Sequence, residues 1–532
     1  MIASTVIALG VSALGVNAPG PLAIFGLAPG ATVLIGVLAF ACWLGWRLGG
    51  GANTKIPVGI PIFVAAAGND PRFAKLVSRY LMSACFWLLL GSAFGLLVAF
   101  KLVDPELLTD SSALTFGRVR PAHTMIVLFG WAGLALVGMG LYVVAKSAWL
   151  PMHQPLQRWE LGAGNLALAL WNAGVAGGVL LLLSGHVNAG REYRMFVWPA
   201  MVPIAIAVLL LAVLVYRLLA RRQVKGVYIS GWFILSALVW IAVVVVMGYQ
   251  PRWTSGVADR VIDGYYIHNA VGMFFTPLAV GLTYYVLPKL LNKPIYSYAL
   301  GVLGFFTHIV FYTVIGTHHY VHTAIPQWLE TTSVVFSVAM IVPVWASTGN
   351  FLLTMKGERL AIAHSYSLPF IVVGVIAYGV ASLQGSAESL PWVQETLHLT
   401  HYTVGHAHFA MYAFVSFLAW GAIYGLLPRL TGREPPVALV GVHFWLALAG
   451  ILIYVLSMCI GGEQQGAAWV QGKSFMESVR LMSPYLVWRA VGGVLMFASH
   501  ICFAVALWRM RPGAFSMAFG HQGASGLGQG EA

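Results

Sequence analysis

Long apolar stretches separated by short polar ones run through the whole chain. Thirteen of them reach roughly 20 residues, the length an α-helix needs to cross a hydrocarbon core. They centre near residues 38, 92, 134, 174, 207, 237, 275, 308, 343, 373, 414, 448 and 497. The period-two alternation of a membrane β-barrel is absent, and a backbone in lipid must satisfy its own hydrogen bonds, so the spans read as helices. The expected fold is all-α and integral to a membrane. The extreme N-terminus, Met1 to Val16, is also apolar but lacks a basic leader region. It reads as part of the first span or as an interfacial segment, not as a cleaved signal peptide.

Composition agrees. Of 532 residues, 59% are hydrophobic and 8% charged, with a mean hydropathy of +0.83; soluble domains carry about 25% charged residues. The net charge of +13 could point to nucleic acid, but the positions of the charges point elsewhere. With the loop after the first span (Arg47, Lys55, Arg72, Lys75, Arg79) placed in the cytoplasm, 19 of the 29 Lys and Arg fall on that side and 11 of the 16 acidic residues fall outside. This is the positive-inside asymmetry of a membrane protein. It puts the N-terminus outside and the C-terminus in the cytoplasm, and it leaves no reason to invoke nucleic acid.

The first span, around Ala31 to Trp46, is set apart by Gly49, Gly50 and Gly51 and a basic loop. It reads as a helix added to a twelve-helix body, which gives three regions. These are an N-terminal segment with the extra helix (1–55), a twelve-helix core (75–512), and a Gly-rich tail (513–532) with the composition of a disordered cytoplasmic end. The four cysteines, Cys42, Cys85, Cys459 and Cys502, fall within spans and form neither CxxC nor CxxCH. They read as small apolar packing residues, with no covalent haem attachment and no zinc site.

Histidines carry the chemistry. The stretch His398 to Tyr412 reads HLTHYTVGHAHFAMY. On a helix, His406 and His408 point about 200° apart, so one helix can offer an imidazole to each of two planar cofactors. His123 opens the second core span just after Pro121, which suits a first helical turn. His268 stands in an apolar run, and His318-His319 close the seventh core span. A buried imidazole needs a partner, and metal is an economical one. Tyr312 lies seven residues before His319, two turns along one helix face, where a phenol could supply a proton and an electron. By topology His123, His406 and His408 sit at a similar depth near the outer face. His308, His364, His443 and His500 read as helix-to-helix hydrogen bonders. Arg480 and Arg489, near the outer start of the last span, suit acidic groups such as haem propionates. The outer loop Arg191-Glu192-Tyr193-Arg194 reads either as a solvated charged turn or as a structural element beside a cofactor.

These residues lie in stretches that resemble a known family. FGRVRPAHT, GREY, HNAVG followed by YYVLPK and PIYSY, Tyr312 with GTHHYVHTAIPQW, GHAH and PYLVWRAVGG occur in the order found in catalytic subunits of the haem–copper oxidase superfamily. The resemblance is greatest to the cbb3-type cytochrome c oxidases, and it covers about residues 75 to 512. It implies that His123 and His408 are axial ligands of a low-spin haem b, and that His406 is the proximal ligand of a high-spin b-type haem. It implies that His268, His318 and His319 hold the copper ion CuB, with Tyr312 as the redox-active tyrosine. The implied reaction is reduction of dioxygen to water, coupled to proton uptake and translocation, in a bacterial inner membrane. Three imidazoles with an open position suit copper. With no CxxCH and no cysteine-based copper centre in the chain, electrons are expected from membrane-anchored cytochrome c subunits.

The alternative is a nitric oxide reductase, a relative that holds non-haem iron in place of CuB. Those enzymes carry a glutamate four residues after the sixth-helix histidine and lack the tyrosine; here the positions hold Gly272 and Tyr312. Other positions depart from the cbb3 pattern. HFAMYA after the haem pair is more like the reductases, Gln384 stands where a glutamate is usual, and His401 replaces an aspartate. No carboxylate falls in the middle of a span, so a proton route is expected through hydroxyls such as Tyr284, Tyr285, Ser297 and Tyr298.

Overall fold

A computed structural model describes residues 68–188, 191–249 and 254–512. Among them are twelve helices long and apolar enough to cross a membrane. In chain order they are α1 (Pro71–Val103), α2 (Phe116–Ser147), α3 (Arg158–Leu183), α4 (Trp198–Ala220), α5 (Ile229–Gly248), α6 (Gly256–Leu291), α7 (Tyr298–Tyr320), α8 (Gln327–Met355), α9 (Leu368–Glu388), α10 (His401–Thr431), α11 (Val437–Val470) and α12 (Phe475–Met510). They match the last twelve apolar runs. The first run, Ala31 to Trp46, lies outside the described residues, as do Cys42 and the tail from Gly513. The other three cysteines are free.

Local sequence explains where the helices begin and end. Pro71 opens α1, and the Asp70 side chain accepts the N–H of Arg72, which satisfies one of the free donors of the first turn. Capping boxes start α3 (Gln157 with Glu160) and α12 (Ser474 with Glu477). At the far end of α10, Gly432 turns the chain with φ +74°, a conformation that glycine adopts without strain.

Three helices form the centre. The apolar windows of α2, α6 and α10 are 94%, 89% and 89% buried, against 28–61% in the other nine. The same three carry His123, His268 and the His406/His408 pair. The centre is therefore built on the elements least able to move.

Each central helix also changes its winding just after its histidine. π-helical turns occupy Ile126–Gly133 in α2, Val271–Phe275 in α6 and Phe409–Ser416 in α10. Such turns are rare and cluster at functional sites; hydropathy does not signal them. Two local expectations are corrected here. Pro121 is not in the first turn of α2 but inside the helix, whose first residue is Phe116. Nor do Tyr312 and His319 share one helix face. The α-helical part of α7 ends at Tyr312, and His318 and His319 stand on a 3-10 turn, Thr317–Tyr320. The run Thr313-Val314-Ile315-Gly316 is poor in helix formers. Gly316 also packs directly on the backbone of Gly264 and Tyr265 in α6, where an added Cβ would approach to 2.5 Å. That contact pulls the end of α7 onto the helix that carries His268.

Candidate metal and haem centre

His268, His318 and His319 converge. One ring nitrogen from each lies within 4.8 Å of the other two, with Nδ1 of His268 3.3 Å from Nε2 of His319. The Ser337 hydroxyl donates its one hydrogen to the Ser333 carbonyl at 2.6 Å, so it accepts from His318 Nδ1, also at 2.6 Å. This assigns the proton of His318 to Nδ1 and leaves Nε2 bare. Three imidazoles gathered this closely are a donor set for copper or another imidazole-binding metal.

The remaining three sequence-selected histidines are held in the same tautomer. His123 Nδ1 donates to the Gly91 carbonyl (2.7 Å) and His408 Nδ1 to the Val404 carbonyl (2.8 Å). Carbonyls only accept, so both Nε2 atoms are bare. The two rings have centroids 6.2 Å apart and planes 14° from parallel, too far for direct ring contact and a spacing that an imidazole pair sharing one metal would have. Tyr454 stacks on His408 at 4.4 Å, with its hydroxyl 3.2 Å from Nε2. On the opposite face of α10, His406 Nδ1 faces Gln384 Oε1 at 3.2 Å, again leaving Nε2 bare.

Between α6, α7, α9 and α10 lies a cavity of about 190 Å³. His268, His318, His319 and Tyr312 line it from α6 and α7; His406, Ala410, Met411 and Phe414 line it from α10. The His123/His408 pair lies on the other side of α10. One helix therefore turns His406 to the cavity and His408 to His123, and the residues present fit one bis-histidine haem, one singly ligated haem and one three-histidine copper.

The Tyr312 ring is 5.2 Å from His268 and 4.5 Å from His308, and its hydroxyl is partnered by Thr276. A Cβ on Gly272 would stand 1.9 Å from Tyr312 Cε1. The glycine where reductases carry a glutamate is thus the space that the tyrosine ring occupies. His308 donates to the Gly272 carbonyl at 2.8 Å, as its reading as a helix-to-helix bonder expects. His443 likewise bonds Tyr424, at 2.9 Å.

The outer loop has a structural role beside the cavity. Arg194, 1% exposed, meets Asp263 at 2.9 Å and Asp259 at 3.3 Å, and it also donates to the Gly248 carbonyl. Tyr320 donates to Asp263 at 2.7 Å, while Tyr193, at φ +58°, lines the cavity. His398, in the loop before α10, bonds the His319 carbonyl, and burial holds its pKa below the ordinary imidazole value. Arg489 is 8% exposed and lies over the Tyr454 ring at 5.4 Å, near the His123/His408 pair. Arg480 is exposed on the same helix. His401 is anchored to α11, both its N–H and its Nδ1 reaching Gln465 Oε1.

Sequence reasoning missed Glu388. It ends α9 one turn beyond Gln384, lines the cavity and has Oε1 3.5 Å from His406 Nδ1, with no hydrogen-bond partner there. The i, i+4 spacing of Gln384 and Glu388 was the signal available.

The family described as cytochrome c and quinol oxidase polypeptide I matches residues 75–495. The chain is similar to the cbb3-type cytochrome c oxidase subunit CcoN1 of Stutzerimonas stutzeri, 30% identical over 82% of this chain and 94% of that one. It is 33% identical to a cytochrome c oxidase subunit 1 homolog of Agrobacterium tumefaciens over 81% and 82% of the two chains. The cryo-EM structure of a heme-copper terminal oxidase dimer has the same fold, with a TM-score of 0.68 at 15% identity, covering 82% of this chain and 84% of that one.

Proposed function

The chain belongs to the cytochrome c and quinol oxidase polypeptide I family, and from that premise we propose that it is the catalytic subunit of a cbb3-like terminal oxidase. In this reading it reduces dioxygen to water with electrons from cytochrome c, taking up and translocating protons. The observation that carries it is the three-histidine cluster within 4.8 Å, set in one cavity with His406 and Tyr312 and with no room for a carboxylate at Gly272.

His268, His318 and His319 would hold CuB, His406 a high-spin b-type haem, and His123 with His408 a low-spin haem b. Arg489 and, nearer the end of the same helix, Arg480 are the proposed propionate partners. When bound, these groups supply the electrons and the metal positions that dioxygen reduction requires. The protein fixes the imidazoles through Ser337, Gly91, Val404 and Gln384, so each meets its metal in one tautomer. Glu388 adds a carboxylate facing the His406 Nδ1–H, which strengthens that ring as a donor. Tyr312 holds a phenolic proton at the cavity wall.

Proton delivery is assigned to hydroxyls. Tyr228 donates to the Tyr284 carbonyl (3.0 Å) and Tyr284 to Ser347 Oγ (3.3 Å). Tyr285 and Tyr298 line a surface pocket beside Tyr228, and Ser297 caps the start of α7 and bonds Asn350. Tyr378, within Coulombic reach of Tyr284 and Tyr312, lines the cavity beyond them. The Y284F variant should turn over several-fold more slowly with unchanged haem spectra; a normal rate of proton-coupled turnover would exclude Tyr284 from the route.

The basic end of the bundle, with Arg221, Lys293 and Arg433, is placed in the cytoplasm of a bacterial inner membrane. Residues 75–512 form the catalytic core. Membrane-anchored cytochrome c subunits are the proposed donors at the other end.

The test is metal content. Iron and copper quantified on the purified complex should give one copper per pair of haems in this chain. Non-haem iron without copper would sink the oxidase reading and establish a nitric oxide reductase.

A further inference from the structure

At the other end of α6, a second cavity opens at the surface. Lys289 lies 21 residues beyond His268, about 30 Å along the helix. With Lys146 from the end of α2 and Lys293 just past α6, it lines a surface pocket of about 920 Å³. Arg429, near the end of α10, is within Coulombic reach of Lys146 and of the lining residue Tyr285. Three cations therefore line one open surface pocket, with Arg429 close by.

Their counter-charges are too few. Glu358 pairs with Lys293 at 2.8 Å. Glu434, the other carboxylate near Arg429, is exposed and makes no ion pair with it. Among the described residues no carboxylate pairs with Lys146, Lys289 or Arg429. Residues 1–67 contain no Asp or Glu, and the tail after residue 512 holds one, Glu531. Like charges held together repel, and an anion from outside relieves the repulsion.

The surroundings specify the anion. Trp149 and Tyr298, 71% and 48% exposed, stand at the rim, the residue types that settle at a membrane–water boundary. Leu150, Met152, Val224 and Val227 give the cavity apolar walls beside its cations. Phosphate alone would use the cations and leave the walls unused; a lipid uses both. We propose that this cavity binds an anionic membrane phospholipid, its phosphate headgroup gripped by Lys146, Lys289 and Arg429 and its glycerol and upper acyl chain laid on the apolar wall. The pocket also holds Tyr228, Tyr285 and Tyr298 of the proposed proton route, so the lipid would sit beside that route and away from the histidines.

The experiment uses the purified complex in neutral detergent, titrated with phosphatidylglycerol and read by native mass spectrometry. The wild type should retain one phosphatidylglycerol that K146Q/K289Q releases, with affinity lowered about 30-fold; R429Q alone should lower it about fivefold. Haem spectra of all three should match, since the changes are at the protein surface. Three results overturn the proposal. They are wild-type affinity in K146Q/K289Q, inorganic phosphate that binds as tightly as the lipid and displaces it, and lipid binding that emerges only after residues 513–532 are removed.

Discussion

The G272A variant should reduce dioxygen at least ~10²-fold more slowly than the wild type while keeping its haems. The new methyl carbon would lie 1.9 Å from Cε1 and 2.3 Å from Cδ1 of the Tyr312 ring, well inside contact distance. A rigid ring cannot bend away as a flexible chain end can. It is confined by His308 at 4.5 Å and His268 at 5.2 Å, so it must swing out of the cavity or push α7 from α6. Overpacking of this kind costs about 1–3 kcal/mol in stability. The larger loss is catalytic, because a displacement of ~1 Å at a reacting group can cost 10²-fold. Turnover measured with an oxygen electrode, beside copper and haem content, separates the two. Wild-type turnover with full metal content would show that the glycine and the tyrosine are not a single steric unit.

Removing the Asp263 carboxylate, as in D263A, should destabilise the complex by about 3–5 kcal/mol and strip copper from it. Arg194 is 1% exposed, and Asp263 is its 2.9 Å partner. Breaking a buried pair sets that magnitude, and the 3.3 Å contact that Arg194 keeps with Asp259 puts the loss at the low end of it. The same carboxylate accepts from Tyr320 at 2.7 Å. It lies five residues before His268 on α6, while Tyr320 directly follows His319. One side chain therefore ties together both segments that carry the three-histidine cluster. Thermal unfolding and copper retention are the readouts. The double variant R194M/D263L, which removes both charges, should recover a large part of the stability but not the Tyr320 tie, so copper should remain low. Full copper in D263A would show that the network is not needed to position the cluster.

Much of this site was legible in the sequence because it rests on residue types that are costly in a membrane. Six imidazoles in apolar runs needed partners, and the opposed faces of His406 and His408 followed from helical geometry alone. Twelve of the thirteen spans read from hydropathy are there among the described residues. What could not be read depends on the approach of two backbones. The break of α7 after Tyr312 is set by Gly316 meeting Gly264, a contact between residues 52 positions apart. Tyr312 therefore reaches the cluster through His268 and not along a shared face with His319. Glu388 was passed over because it ends a span, and a carboxylate at a span end reads as solvated; only the fold shows it turned inward to His406. The ion pairs of Arg194 settled the outer loop as structural, which its charge alone could not do.

The three π turns bear on how this chain tolerates insertion and deletion. Each contains one residue more than an α-helical turn would need, and one residue on a helix is about 100° of rotation. Deleting a single residue from Ile126–Gly133, Val271–Phe275 or Phe409–Ser416 would allow regular α-helical bonding to close over the gap. Hydropathy and helix length would scarcely register the loss. The two halves would keep nearly their phase, because the wide turn has already absorbed that residue, but the widened backbone beside His123, His268 or the His406/His408 pair would close. For these helices the residue count just after the histidine sets the local width of the helix, which a substitution leaves in place and a single-residue deletion removes.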